Sequence, residues 1–155
     1  MYWPLQENFL DHQSINSLCN FIKKNKRLTQ FKKVKEFEKK FAKWNGSKYS
    51  VFVNSGSSAN LLIIQCAKEL YRWKNGDEVI VPAVTWPTTV TPVIQAGLKP
   101  VFVDVNLNDF SYDYKKLASA VTKKTKAIFV AHLIGIPADV VKIKKIIQNK
   151  KIQIL

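Results

Sequence analysis

The sequence predicts an α/β fold of three layers, α/β/α, with a mostly parallel sheet preceded by two helices. Three observations predict it. From Tyr49 onward, short β-branched and aromatic runs alternate with segments whose apolar residues recur at helical spacing, the pattern of a parallel sheet covered on both faces. Glycine, proline and asparagine punctuate the changes between those runs. Before Tyr49 an arm is followed by two segments of helical periodicity, so residues 1–47 form an arm and two helices and residues 48–155 form the sheet domain.

Taken in order, residues 1–12 read as an extended arm whose Tyr2, Trp3 and Phe9 give it more apolar surface than a free tail carries, so it is expected to pack on something. Asp11 or Ser14 caps a helix to about Lys24, with Ile15, Leu18, Cys19 and Ile22 on one face. A second helix spans about 31–44 and stops at Asn45-Gly46. Val51-Phe52-Val53 is expected to be a buried strand that breaks at Gly56 and resumes as a helix over 57–73. Asn75-Gly76-Asp77 then turns into a strand at 78–81 closed by Pro82. Thr85-Trp86-Pro87-Thr88-Thr89 opens a helical segment to about Ala96, and Gly97 ends it. A strand at 100–105, a turn at 106–109, a helix at 112–120, a strand at 127–131, a helix at 138–148 and a strand at 151–155 complete the order.

Composition bounds the function classes. With 155 residues, 46% of them hydrophobic, the chain suits one core-bearing domain. There is no run of about 18 apolar residues, and the start lacks the basic and apolar regions of a signal peptide, so a cytoplasmic protein is the default expectation. Cys19 and Cys66 have neither metal-ligand spacing nor a disulfide framework and read as buried thiols. The formal charge of +14 raises nucleic acid as a partner, but the lysines at 32–43 interleave with Glu36, Glu38 and apolar positions, as on a solvated helix face. Arg27 and Arg72 are the only arginines, which argues against a nucleic-acid surface.

The stretch Asn54-Ser55-Gly56-Ser57-Ser58-Ala59-Asn60 carries the chemistry. A helix beginning there leaves amide N–H groups without internal partners, and Gly56, Ser57 and Ser58 suit a phosphate bound at that helix end. The alternative is an ordinary Ser-capped helix start. No Walker lysine and no GxGxxG is present. In open α/β sheets the groups beyond the carboxyl ends of the strands share one crevice, which here gathers residues 54–58, 82–89, 104–106 and 132–137. There Trp86 could stack on a planar ring or fill a gap under its loop. His132 could bond a ligand, act as acid or base, or be structural. Asp104 could equally cap a strand end. No Ser-His-Asp order, no paired carboxylates and no metal cluster emerges, so the edge suits a flat, phosphorylated molecule.

The order of motifs is similar to the amino-terminal part of the DegT/DnrJ/StrS family of pyridoxal-phosphate (PLP) enzymes. The motifs are Phe37-Glu38-Lys39-Lys40-Phe41-Ala42, the 54–60 stretch, Gly76-Asp77-Glu78-Val79-Ile80-Val81-Pro82-Ala83, Thr85-Trp86, residues 97–105 and His132-Leu133-Ile134-Gly135. The resemblance implies the large domain of the aspartate-aminotransferase fold, usually a homodimer, acting on nucleotide-linked keto-sugars with an amino donor such as glutamate. It matches Gly56, Ser57 and Ser58 to the turn that holds the cofactor phosphate, Trp86 to the aromatic that stacks on the pyridine ring, and His132 to a segment near the cofactor. Ile136 stands where Gln or Asn is common in the family. By the same resemblance, the acid facing the pyridine nitrogen and the Schiff-base lysine are expected beyond Leu155, so this chain by itself is expected to be inactive. The leading expectation is a sugar aminotransferase. The rivals are a 3-dehydratase of the same family, a non-catalytic fragment, and a basic nucleic-acid binder.

Overall fold

Four parallel strands, at Glu78–Pro82, Lys99–Val103, Thr125–Ile128 and Gln153–Ile154, lie in the order second, first, third, fourth, which follows from three crossovers that reverse direction once. In the computed structural model, which describes residues 10–25, 27–29, 31–148 and 151–155, the strands are β1 (Glu78–Pro82), β2 (Lys99–Val103), β3 (Thr125–Ile128) and β4 (Gln153–Ile154). The arm expected at 1–9 lies outside the described residues. Helix α4 (Pro87–Gln95) leads from β1 out to β2, α5 (Tyr114–Ala120) returns the chain past β1 to β3, and α6 (Val140–Ile147) continues to β4. Right-handed crossovers then require α4 on one face and α5 with α6 on the other. Burial divides that way. Val79, Val81, Ala127 and Phe129 pack with Ile64, Ala67 and Val93, whereas Ile80, Val103 and Ile128 pack with Leu117, Ile143 and Ile147. The alternation along β1 and β3 is thus buried on both faces, as in a covered parallel sheet.

The chain divides into two units, Met1–Phe52 and Val53–Leu155. In the first, α1 (His12–Lys24) begins at Asp11, whose carboxylate accepts the Ser14 amide at 2.6 Å, and α2 (Lys32–Asn45) ends at left-handed Gly46 (φ 71°). Val51-Phe52-Val53 is not the buried strand its composition suggests. Val51 is 75% exposed, and no strand of the described sheet pairs with this run. Instead the Phe52 amide donates to the Glu38 carboxylate at 2.9 Å, and its ring meets Phe37 edge-on at 5.3 Å. A β-prone run without a neighbouring strand has no ladder to join.

In the second unit, α3 (Gly56–Tyr71) stops two residues earlier than expected, because Arg72 turns left-handed (φ 55°) and sends Trp73 into the core. Cys19 and Cys66 are exposed and not buried thiols: α1 buries no residue at all, and in α3 the buried positions are Ile64 and Ala67. Helix α5 begins at Tyr114, not Tyr112, with Asp113 as its cap, and β3 ends at Ile128. One cause explains the last two differences. The Phe129 amide donates to the Ile80 carbonyl at 2.8 Å, so the next rung of a parallel ladder would run from the amide of residue 82 to the Phe129 carbonyl. Residue 82 is proline and has no N–H. The Tyr112 hydroxyl donates to that carbonyl at 2.6 Å instead. Tyr112 is therefore held out of α5 as a buried anchor, and its backbone bridges Val105 in antiparallel fashion.

Candidate functional site

The β1 and β3 connections leave in opposite directions, α4 toward β2 and α6 toward β4, so the crevice at their carboxyl ends is the topological switch point of the sheet. Helix α3 reaches that edge too. It is joined to the amino end of β1 by the short turn 72–77, so it runs antiparallel to β1 and its N-terminus lies at the carboxyl side. The Asn60 side-chain amide donates to the Thr88 carbonyl at 3.1 Å and ties α3 to the start of α4. Between them is a cleft of about 270 Å³ lined by Ser57, Ser58, Leu61, Thr88, Thr91 and Pro92.

The N-terminus of α3 is a Ser-capped helix start that leaves two amides open. Ser55 is a true N-cap, its hydroxyl oxygen accepting the Ser58 amide at 3.2 Å, and the Ser58 hydroxyl donates to Asn54 Oδ1 at 2.7 Å. The first backbone rung runs from the Ala59 amide to the Ser55 carbonyl at 3.1 Å. The cap thus consumes the donors of Ser58, while the amides of Gly56 and Ser57 have no hydrogen-bond partner among the described residues. A methyl on Gly56 would meet no protein atom within 4 Å, so this residue is not small for the sake of packing within the chain. Two open amides at the positive end of a 16-residue helix fit the oxygens of a phosphate.

Trp86 caps α4 with extended backbone just before Pro87, and it is 67% exposed. It fills no gap under its loop and offers an open indole face beyond β1. His132 follows β3 and is exposed on the other side of the switch point, its Nδ1 accepting the Ala138 amide at 3.0 Å. Asp104 belongs elsewhere. It follows the edge strand β2, bonds Lys116 Nζ at 2.7 Å, and the Lys116 hydrogen bond holds its carboxyl below the usual carboxylate range. That pair serves α5. Sequence reasoning did not foresee the bond between Asn60 and Thr88, and it placed Tyr112 in a helix. The signal for Tyr112 was the proline inside β1, which demanded a substitute donor.

The described residues therefore bring Gly56, Ser57 and Trp86 to the edge at which His132 also lies. They supply phosphate donors, an exposed indole and an imidazole, which fits a phosphorylated aromatic cofactor.

Known proteins resemble this chain in both sequence and fold. The chain is 45% identical over 155 residues to a GDP-4-keto-6-deoxy-D-mannose 3-dehydratase of Yersinia pseudotuberculosis, an alignment covering 99% of this chain and 39% of that protein. A crystal structure of GDP-4-keto-6-deoxymannose-3-dehydratase with a trapped PLP-glutamate geminal diamine superposes with a TM-score of 0.90 at 41% identity, covering 99% of this chain and 40% of that one. A dTDP-3-amino-3,6-dideoxy-alpha-D-galactopyranose transaminase of Aneurinibacillus thermoaerophilus is 35% identical, covering 79% of this chain and 32% of its own length. The chain thus spans about two fifths of the length of the dehydratases it matches. These similarities favour the dehydratase branch over the aminotransferase that led the sequence reading. Residues 10–155 match the DegT/DnrJ/EryC1/StrS aminotransferase family, and the chain belongs to it.

Proposed function

We propose that this chain carries the phosphate-binding and ring-contacting part of a PLP site whose reaction is 3-dehydration of a nucleotide-linked 4-keto-6-deoxy sugar. The observation that carries the cofactor reading is the pair of open amides, Gly56 and Ser57, at the N-terminus of α3. The choice of dehydration rests on the 45% identity to a 3-dehydratase across nearly the whole chain, against 35% over 79% for a transaminase.

Each residue has a physical task. The Gly56 and Ser57 amides, with the Ser57 hydroxyl, hold phosphate oxygens, and the α3 dipole favours their charge. Trp86 covers one face of the ring and keeps water from it. When bound, PLP supplies the electron sink for bond cleavage beside the sugar carbonyl. No residue of this chain matches the family's cofactor lysine, and the reading assigns these residues binding and orientation of the cofactor. Assembly as a homodimer in the cytoplasm completes the reading. The apolar residues Leu61, Leu62, Ile63, Leu70 and Tyr71 left exposed along α3 support a covering partner.

Titration of the chain with PLP, followed by absorbance, tests the cofactor reading, and competition by inorganic phosphate is expected. Absence of binding would overturn it. Within the family's full-length frame, incubation with a GDP-linked 4-keto-6-deoxy sugar and 15N-glutamate separates the reactions. Dehydration removes the C3 oxygen without placing nitrogen in the sugar, whereas amino transfer leaves 15N on it.

A further inference from the structure

The His132 side chain does more than lie near the crevice: it closes the loop that follows β3. The single 3₁₀ turn Leu133–Gly135 contains Ile134 and Gly135 at positive φ (53° and 78°), and the Ile136 amide donates to the Leu133 carbonyl at 2.9 Å. This tight return brings the buried Ala138 back against the imidazole, 3.0 Å from amide to Nδ1. The far end is fixed as well, because the Asp139 amide donates to the Tyr114 hydroxyl at 3.1 Å and its carboxylate caps α6 through the Lys142 amide at 2.9 Å.

A backbone amide can only donate, so Nδ1 must present its lone pair, and in the neutral ring the one proton then sits on Nε2. Nε2 has no partner among the described residues. We propose that His132 is locked as the Nε2–H tautomer and serves this crevice as a hydrogen-bond donor to a ligand oxygen, not as a proton acceptor. The ligand class is a phenolate, carbonyl or phosphate oxygen of the bound cofactor or sugar, and this part rests on the PLP reading above. Acting as a base is disfavoured by the same geometry. Nε2 already holds the proton, and the Nδ1 lone pair is taken up by the Ala138 amide.

Two measurements on the chain test this. Long-range 1H–15N spectra of 15N-histidine-labelled protein, with His12→Gln to assign the second histidine, are expected to show a bare Nδ1 and a protonated Nε2 at His132. The opposite tautomer overturns the proposal. In PLP titrations, His132→Gln keeps a donor where Nε2 stands and is expected to stay within about threefold of the unaltered chain. His132→Asn keeps only the acceptor that closes the loop and is expected to weaken binding by roughly tenfold, the effect of about one hydrogen bond. Equal losses in both, or the reverse order, mean that His132 is a loop clamp alone and sink the donor role. Should the unaltered chain bind no PLP, the cofactor reading falls, and the tautomer still decides whether the ring is a donor.

Discussion

The Tyr112 hydroxyl donates to the Phe129 carbonyl at 2.6 Å and so supplies the rung that Pro82 cannot give the β1–β3 ladder. The bond sits at the switch point, where the two strands part and the Trp86 and His132 loops begin. Only 2% of Tyr112 is exposed, so no water replaces a lost donor. Tyr112→Phe is expected to cost about 1–3 kcal/mol, the penalty for an unpaired buried carbonyl, read as a lower urea midpoint at unchanged slope. Pro82→Val restores an N–H at the missing rung and is expected to recover part of that loss in the Tyr112→Phe background. Strictly additive effects of the two changes would show that the hydroxyl is no substitute for the amide.

The same phenol gives a test in alkali. Burial pushes the Tyr112 hydroxyl above its ordinary value of 10.0, so the unfolded chain ionises first. A group raised on folding contributes fully below its unfolded value and loses that contribution as pH climbs past it. The stability gap between the unaltered chain and Tyr112→Phe is therefore expected to hold up to about pH 9 and to shrink above about pH 10. A gap constant through pH 11 would contradict a neutral, buried phenol.

Gly56→Ala separates folding from binding. The added methyl meets no protein atom within 4 Å and sits in the first turn of α3, so stability is expected to remain within about 1 kcal/mol. PLP affinity is expected to fall, because the methyl narrows the approach to the Gly56 and Ser57 amides. If affinity is unchanged, the phosphate does not sit against this turn.

Trp86→Ala is expected to leave the urea midpoint nearly in place, since the indole is exposed and packs in no core cluster. Loss of ring stacking is expected to weaken PLP binding by about 1 kcal/mol, or roughly fivefold to tenfold. A large drop in stability with intact binding would make Trp86 a packing residue.

Gly97 tests the turn that ends α4. Its φ is 70°, and a Cβ there would lie 2.8 Å from Asn75 Oδ1, so Gly97→Ala combines left-handed strain with a clash. A loss of about 1–2 kcal/mol or more in urea unfolding is expected. Asn75→Ala in the same background is expected to relieve the clash and leave the strain.

By itself the sequence determined the alternation of helices and parallel strands, the punctuation at Gly46, Asn75-Gly76 and Gly97, and the serine-rich helix start at Gly56-Ser57. These are local properties, set by side-chain periodicity and by which residues tolerate a turn. The tertiary structure decided what depends on neighbours. Val51-Phe52-Val53 has strand composition but no strand beside it, and Phe52 packs on α2 instead. Cys66 looks apolar in sequence but faces outward, because the helical phase that buries Ile64 and Ala67 leaves it exposed. Tyr112 left its helix because a carbonyl 17 residues later lacked a donor, and His132 became a loop clamp because Ala138 returns to it. Hydrogen bonds between positions far apart in the chain leave no periodic trace in the sequence, and here they set the geometry of the switch point.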